Sequence, residues 1–355
     1  MKKTSTRLSD GRELIYYDRD DSRERDAPDP RPADQVATAS EVRQDPLLGD
    51  FVAIASHRQG RTHLPPADAC PLCPARPGGH QGEIPDSDYD VVVFENRFPS
   101  LSGPTGRCEV VCFTSDHDTS FAGLDEDSAR LVLEAWRDRT AELSRLDSVR
   151  QVYCFENRGA EIGVTLGHPH GQIYGYPEIT PRTRLMLQSL AGHRATTGRN
   201  LFDDLVARER KDGERIVLET EHWTAFVPYA AHWPYEIHLH PRRRVPDLVA
   251  LDEAARAEFP RVYLELLRRF DRIFGEGRPP TPYISGWHQA PFGEPRPGEP
   301  DVAREEFALH LELFTVRRTE GKLKFLAGSE SGMSVFINDV PPEAAARRLR
   351  EVASS

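Results

Sequence analysis

Gly167-His168-Pro169-His170-Gly171-Gln172 runs straight into Ile173-Tyr174-Gly175-Tyr176, and Ala308-Leu309-His310-Leu311-Glu312 stands at the corresponding place in the second half of the chain. The same order of signals surrounds each stretch. In the first half, Val91-Val92-Val93-Phe94 and Val110-Val111-Cys112-Phe113 are β-branched, aromatic runs that read as strands. Between Asp125 and Leu146, Leu131, Val132, Ala135, Trp136 and Leu143 recur at helical spacing behind three acids, as an amphipathic helix requires. Strand signals return at 151–155 and 172–176. In the second half, Trp223 to Pro228 and Tyr235 to Pro241 match the two early strands, and Asp252 to Phe274 repeats the acid-started helix. The simplest account is a duplicated α+β unit, each copy an antiparallel sheet crossed by a helix.

The chain has 355 residues, enough for two domains with sizeable cores. Residues 1–38 are charged and broken by Pro28, Pro30 and Pro32, and read as a polar, exposed lead-in. The first repeat is expected over 39–200 and the second over 201–355. Gly286 to Arg304 reads as loop, Lys322 to Asn338 as irregular, and Pro341 to Ala353 as a closing basic helix. No run approaches the roughly 20 apolar residues of a membrane helix, and the first residues lack the apolar core of a secretory signal. A soluble, cytoplasmic protein is expected. The net charge of −11 repels a phosphate backbone, so nucleic acid is not expected as a partner.

Thirteen histidines predict about half a His-x-His pair by chance, and the chain has two. His238-Leu239-His240 lies in an alternating strand and reads as a polar strand face without catalytic role. His168-Pro169-His170 differs, because Pro169 fixes a turn between a glycine and a strand. A histidine flanked by Pro and Gly is held rigid with its ring open to a ligand, which suits a nucleophile. Imidazole attacks phosphorus when neutral, with its other N–H held by an acceptor. The Gln172 amide, just beyond, is placed to donate to a phosphate oxygen as charge develops.

Five cysteines without an export signal argue against a disulfide framework. Cys70-Pro71-Leu72-Cys73 has the spacing of a zinc half-site, and His117 and His168 are candidates for the two missing ligands.

Taken in order, Cys70-Pro-Leu-Cys73, Phe94-Glu-Asn96-Arg-Phe98, Ser115-Asp-His117, Phe155-Glu-Asn157-Arg-Gly159, His168-Pro-His170-Gly-Gln172, Gly286-Trp-His288-Gln-Ala-Pro-Phe292 and Lys324-Phe-Leu-Ala-Gly328-Ser-Glu330 resemble the galactose-1-phosphate uridylyltransferase family of the histidine-triad superfamily. The resemblance covers about residues 41 to 350. It implies a duplicated histidine-triad-like fold and a double displacement between UDP-glucose and galactose 1-phosphate, with His170 as the covalent nucleophile and Gln172 beside it. It implies a structural zinc on Cys70, Cys73, His117 and His168. It also implies phosphate contacts from Arg58 and Arg61, a uridine pocket at Asn96 and Phe98, and an approach to the nucleophile lined by Asn157, Gly163 and Thr165. Lys324, Phe325 and Glu330 resemble hexose-phosphate contacts made across a homodimer with shared active sites.

Two departures bear on this. Many relatives have Asn-Asp-Phe where this chain has Asn96-Arg97-Phe98, which removes an acid from the ribose pocket. Relatives with a second, iron-type metal use three histidines and a glutamate; here His288 and His310 match, Glu312 replaces one histidine, and no glutamate follows His170 at the expected distance. A normal second metal site is therefore not expected. The competing functions are an ADP-sugar phosphorylase or adenylyltransferase, a histidine-triad nucleotide hydrolase, and a zinc-dependent binding module. Gly171 favours uridylyl transfer over the first, and the charge argues against a nucleic-acid zinc finger.

Overall fold

The structure is a computed structural model that describes residues 1–33, 40–60, 65–76 and 78–354. It divides into two compact units. The first comprises residues 1–154, 165–181 and 291–293, and the second residues 155–164, 182–290 and 294–355. The boundaries thus differ from 39–200 and 201–355.

The first unit contains β1 (Lys2–Arg7), β2 (Glu13–Asp18), β3 (Glu41–Gln44), β4 (Phe51–Ile54), β5 (Val91–Glu95), β6 (Arg107–Cys112), α1 (Glu126–Leu143), the start of β7 (Gln151–Arg158) and β8 (His170–Tyr176). Its main sheet runs β1-β2-β5-β6-β8, all antiparallel. Gly106 allows the turn into β6, with φ of 118° and a backbone so close to Gly175 that a Cβ would lie 2.2 Å from its carbonyl oxygen.

The exposed lead-in expected over 1–38 is corrected here. Leu14, Ile15, Tyr16 and Tyr17 are buried, β2 pairs with β5, and Leu8, Leu14 and Tyr16 pack in one cluster with Cys70, Leu72 and Tyr89. A short continuous apolar run, buried on both faces, is enough to seat a strand once a neighbouring strand offers its edge. The surrounding charge is absorbed in pairs such as Arg25 with buried Asp18.

The second unit contains the end of β7, α2 (Pro181–Thr197), α3 (Leu201–Asp212), β9 (Ile216–Glu219), β10 (Trp223–Phe226), β11 (Tyr235–Pro241), α4 (Glu253–Arg272), β12 (Tyr283–His288), β13 (His310–Thr315), β14 (Arg317–Thr319), β15 (Lys322–Leu323), α5 (Gly328–Met333) and α6 (Pro342–Glu351). Its sheet runs β7-β12-β13-β11-β10-β9.

The duplication is visible as topology. The order β5-β6-β8 in one unit and β10-β11-β13 in the other is the same, with α1 and α4 each following the second strand. Both helices begin on a capping aspartate. Asp125 accepts from Ser128 N at 2.6 Å and Asp252 from Ala255 N at 2.9 Å, contacts of about 1 kcal/mol each. The fold is α+β, built on antiparallel sheets. Helices α2 and α3 have no counterpart in the sequence reading, and Gly286 to His288, expected in a loop, end strand β12. The irregular reading of Lys322 to Asn338 gives way to β15 and α5.

Candidate active site and metal centre

The Cys70-Pro71-Leu72-Cys73 turn closes on itself, with Cys73 N donating to Cys70 O at 3.4 Å. Gly82 lets a second strand of chain pass against it, since a Cβ there would lie 2.5 Å from Pro71 O, and Glu83 N donates to that oxygen at 2.7 Å. The two thiols meet His117 and His168. Donor atoms of all four residues lie within 4.8 Å of one another. Cys73 Sγ is 3.3 Å from His117 Nδ1 and 3.6 Å from His168 Nδ1.

The tautomer of His168 follows from its other side. Its Nε2 lies 2.8 Å from both Thr114 O and the Tyr89 hydroxyl, and that hydroxyl donates to Leu72 O at 2.9 Å. Nε2 therefore carries the proton, and Nδ1 turns a lone pair toward the sulfurs. Burial pushes the Cys73 thiol up to about 12, with the Cys70 sulfur adding to it, and burial lowers His168 to about 4. Two sulfurs and two imidazoles at this spacing fit a tetrahedral metal ion, whose charge would hold both thiols as thiolates.

Pro169 ends the turn, and β8 begins at His170. Along β8 His170, Gln172 and Tyr174 fall on one face, and Gly171, Ile173 and Gly175 are buried on the other. His170 Nδ1 donates to His168 O at 2.8 Å, which leaves Nε2 as the lone-pair nitrogen. Burial holds the ring below its ordinary value, against the pull of that carbonyl, so the neutral form is favoured.

His170, Gln172, Thr165, Arg58, Asn96 and Phe98 all line one cavity of about 280 Å³. Arg58 donates to the Ser100 hydroxyl and to the Tyr174 hydroxyl at 3.4 Å. Asn96 closes a turn, its Oδ1 accepting from Phe98 N at 2.8 Å. Arg61 lies outside the described residues.

The cavity has members that sequence reasoning missed. Arg31 comes from the supposed lead-in and lies 2.9 Å from the buried carboxylate of Glu83, which also pairs with Arg12. Arg97, at the position of the lost acid, stands 3.8 Å from the same carboxylate. The segment of Arg31 is held by Asp29, whose carboxylate accepts from Ser9 N at 2.9 Å, a contact that sequence spacing does not announce.

Asn157, Gly163, Lys324, Phe325 and Glu330 belong to the second unit. Asn157 pairs with Ile284 between β7 and β12, and Gly163 ends a short helical turn with φ of 80°. Lys324 is buried against Glu330 at 2.8 Å and also donates to Ile337 O, and the ammonium holds the Glu330 carboxyl down at about 2. Phe325 is exposed.

Beside Asn157, buried Glu156 accepts from the Tyr283 hydroxyl at 2.9 Å, and burial pushes its carboxyl up from 4.5 to about 7. A folded value above the unfolded one favours folding while the group is protonated. Stability is therefore full below about pH 4.5 and declines as pH rises through 7. Glu156→Gln keeps an acceptor for Tyr283 and is expected to gain up to about 3 kcal/mol at pH 8 while changing little at pH 4.5. Urea unfolding at both pH values checks this; an equal change at the two would refute it.

Two family models match the chain. Residues 102–180 match the family described as galactose-1-phosphate uridyl transferase, N-terminal domain, and residues 186–355 its C-terminal domain. A galactose-1-phosphate uridylyltransferase of Streptomyces lividans is 65% identical, covering 99% of this chain and 98% of its own. One of Thermotoga maritima is 37% identical, covering 88% and 98%. A solved structure described as a uridylyltransferase superposes with a TM-score of 0.74 at 30% identity, covering 88% of this chain and 98% of its own.

Proposed function

The chain belongs to the galactose-1-phosphate uridylyltransferase family, and on that premise we propose that it moves UMP from UDP-glucose to galactose 1-phosphate, in galactose metabolism, by two displacements on His170. The observation that carries this is the His170 ring on the cavity wall, with Nδ1 tied to a backbone carbonyl and Nε2 left as a nucleophile.

In the first displacement the Nε2 lone pair attacks the phosphorus of the UMP group. An N–P bond forms, the P–O bond to glucose 1-phosphate breaks, and its electron pair leaves with that product. In the second, a phosphate oxygen of galactose 1-phosphate attacks the same phosphorus, and the N–P electrons return to the ring. Nδ1 keeps its proton, hydrogen-bonded to the His168 carbonyl, throughout, so no proton transfer limits either step. Gln172, on the same face of β8, donates its amide to a phosphoryl oxygen, and Arg58 offers a forked donor to the diphosphate. Asn96 has already committed its oxygen to the backbone, which leaves its amide nitrogen to donate to the uracil, with Phe98 beside it. Thr165 lines the same cavity as His170.

Zinc on Cys70, Cys73, His117 and His168 would supply a rigid cross-link beneath the nucleophile's turn and no reacting group, since four protein ligands leave no open position. All five cysteines are free, which suits a reducing, cytoplasmic setting. Among the described residues no helix is long and apolar enough to cross a membrane.

The active form proposed is a homodimer with shared sites, in which the segment of Lys324, Phe325 and Glu330 serves the partner's hexose phosphate; Phe325 is exposed in it, and the buried Lys324–Glu330 pair would have to open to take part. Its support is an apolar surface, with Phe325, Met333, Val335 and Ile337 all exposed along one segment. Met333→Asp is expected to shift sedimentation from dimer to monomer and to depress exchange with it; an active dimer carrying Asp there would remove the proposal.

The reaction itself is tested by the intact mass of the protein after mixing with UDP-glucose alone. A single UMP adduct that disappears on adding galactose 1-phosphate, with UDP-galactose formed, is the expected result. An adduct from ADP-glucose instead would transfer the protein to adenylyl chemistry, and loss of the adduct to water alone would make it a hydrolase.

A further inference from the structure

In the second unit β13 carries His310 and Glu312, β12 ends on His288, and Arg182 lies in the first turn of α2. His310 and Glu312 alternate onto one face of β13, and His288 pairs directly opposite His310. Glu312 is only 3% exposed and sits at the centre. Its two oxygens lie 3.4 Å from His288 Nε2 and 3.6 Å from His310 Nε2. His310 Nδ1 donates to Ala308 O at 2.8 Å, which turns the Nε2 lone pair toward the carboxylate. Two imidazoles and a carboxylate, with donor atoms within 4.8 Å of one another, are the donor set of a zinc or iron(II) site.

The carboxylate is already taken by a cation. Arg182 Nη2 lies 2.7 and 2.6 Å from its two oxygens. A guanidinium keeps its charge at every pH a protein tolerates, so it is never absent when a metal arrives. A divalent ion on the three donors would have to share Glu312 with this charge, or expel it. His238 adds to the crowding, with Nε2 3.6 Å from Glu312 and 2.9 Å from Glu236. The residues therefore do not fit a second metal as they stand.

We propose that the Arg182 guanidinium is the resident cation of this cluster, so that the second unit binds no metal, and that removing it opens His288, His310 and Glu312 as a divalent-cation site. The Arg182 side chain is about half exposed, so its removal leaves an entry from solvent to the buried donors.

The experiment compares wild type, Arg182→Ala, Arg182→Gln and Arg182→Ala/Glu312→Gln after saturation with zinc and desalting, by elemental mass spectrometry and by thermal melting with and without zinc. Each Arg182 single variant is expected to hold one metal more per chain than wild type and to melt higher when zinc is added. The double variant is expected to lose both effects. Folding of Arg182→Ala only in the presence of zinc would support the proposal equally, because it shows the ion replacing the guanidinium. Wild-type protein that gives up a metal on His310→Ala, single variants that bind no additional metal, or both single variants failing to fold with zinc present would each overturn it.

Discussion

Replacing His170 by alanine is expected to lower uridylyl exchange by at least about four orders of magnitude, while melting temperature and metal content stay unchanged. The ring makes one hydrogen bond, to its own backbone two residues back, and lies on a cavity wall, so its loss removes little packing. What disappears is the cavity imidazole whose tautomer the fold has fixed with Nε2 as the lone-pair nitrogen, the atom proposed to attack phosphorus. Gln172→Ala removes a donor and leaves the nucleophile, and should cost roughly a hundredfold. The pair of variants separates making the bond from stabilising the charge that develops with it. His80 also lines the cavity, so the site of the UMP adduct should be mapped by peptide mass as well. Near-normal exchange by His170→Ala, or an adduct on His80, would remove the mechanism.

Cys70→Ser or Cys73→Ser is expected to empty the first-unit metal site and destabilise the fold by several kcal/mol, before any effect on chemistry is considered. Serine nearly keeps the shape and loses the thiolate, and melting with and without chelator separates metal ligation from the loss of packing. The consequence reaches His170 through the chain, because His168 is both a member of the quartet and the residue whose carbonyl holds the His170 ring. Metal analysis and melting with and without chelator check this. Identical melting in both conditions, for wild-type protein, would remove the structural zinc.

The duplicated α+β plan and the residue constellations of the site were legible in the sequence, and the outlying elements of the frame were not. The cysteine turn and the His-Pro-His turn are local constellations, in which spacing and residue type carry the meaning, and the structure brings Cys70, Cys73, His117 and His168 together. The N-terminal strands were hidden because their few apolar residues are diluted by charge, and only the partner edge of β5 shows where Leu14 to Tyr17 belong. Helices α2 and α3 escaped for another reason. α2 buries only Thr183, Leu187 and Leu190 and displays no continuous apolar stripe, whereas α3 carries Leu201, Phe202, Leu205 and Val206 at helical spacing, a short signal that the sequence reading passed over. Asn96 illustrates the remaining gap, since a turn-closing asparagine and a ligand-facing one look the same in one dimension, and this residue is at the cavity while closing a turn.

The hairpin of β1 and β2 completes its sheet only by pairing with β5, which begins at Val91, about seventy residues later. On a ribosome adding roughly 5–20 residues per second, Leu14, Tyr16 and their neighbours emerge several seconds before the strand that covers them. During that interval the nascent chain carries an apolar ribbon with an open edge, and it is there that chaperone capture or misassociation during synthesis would concentrate.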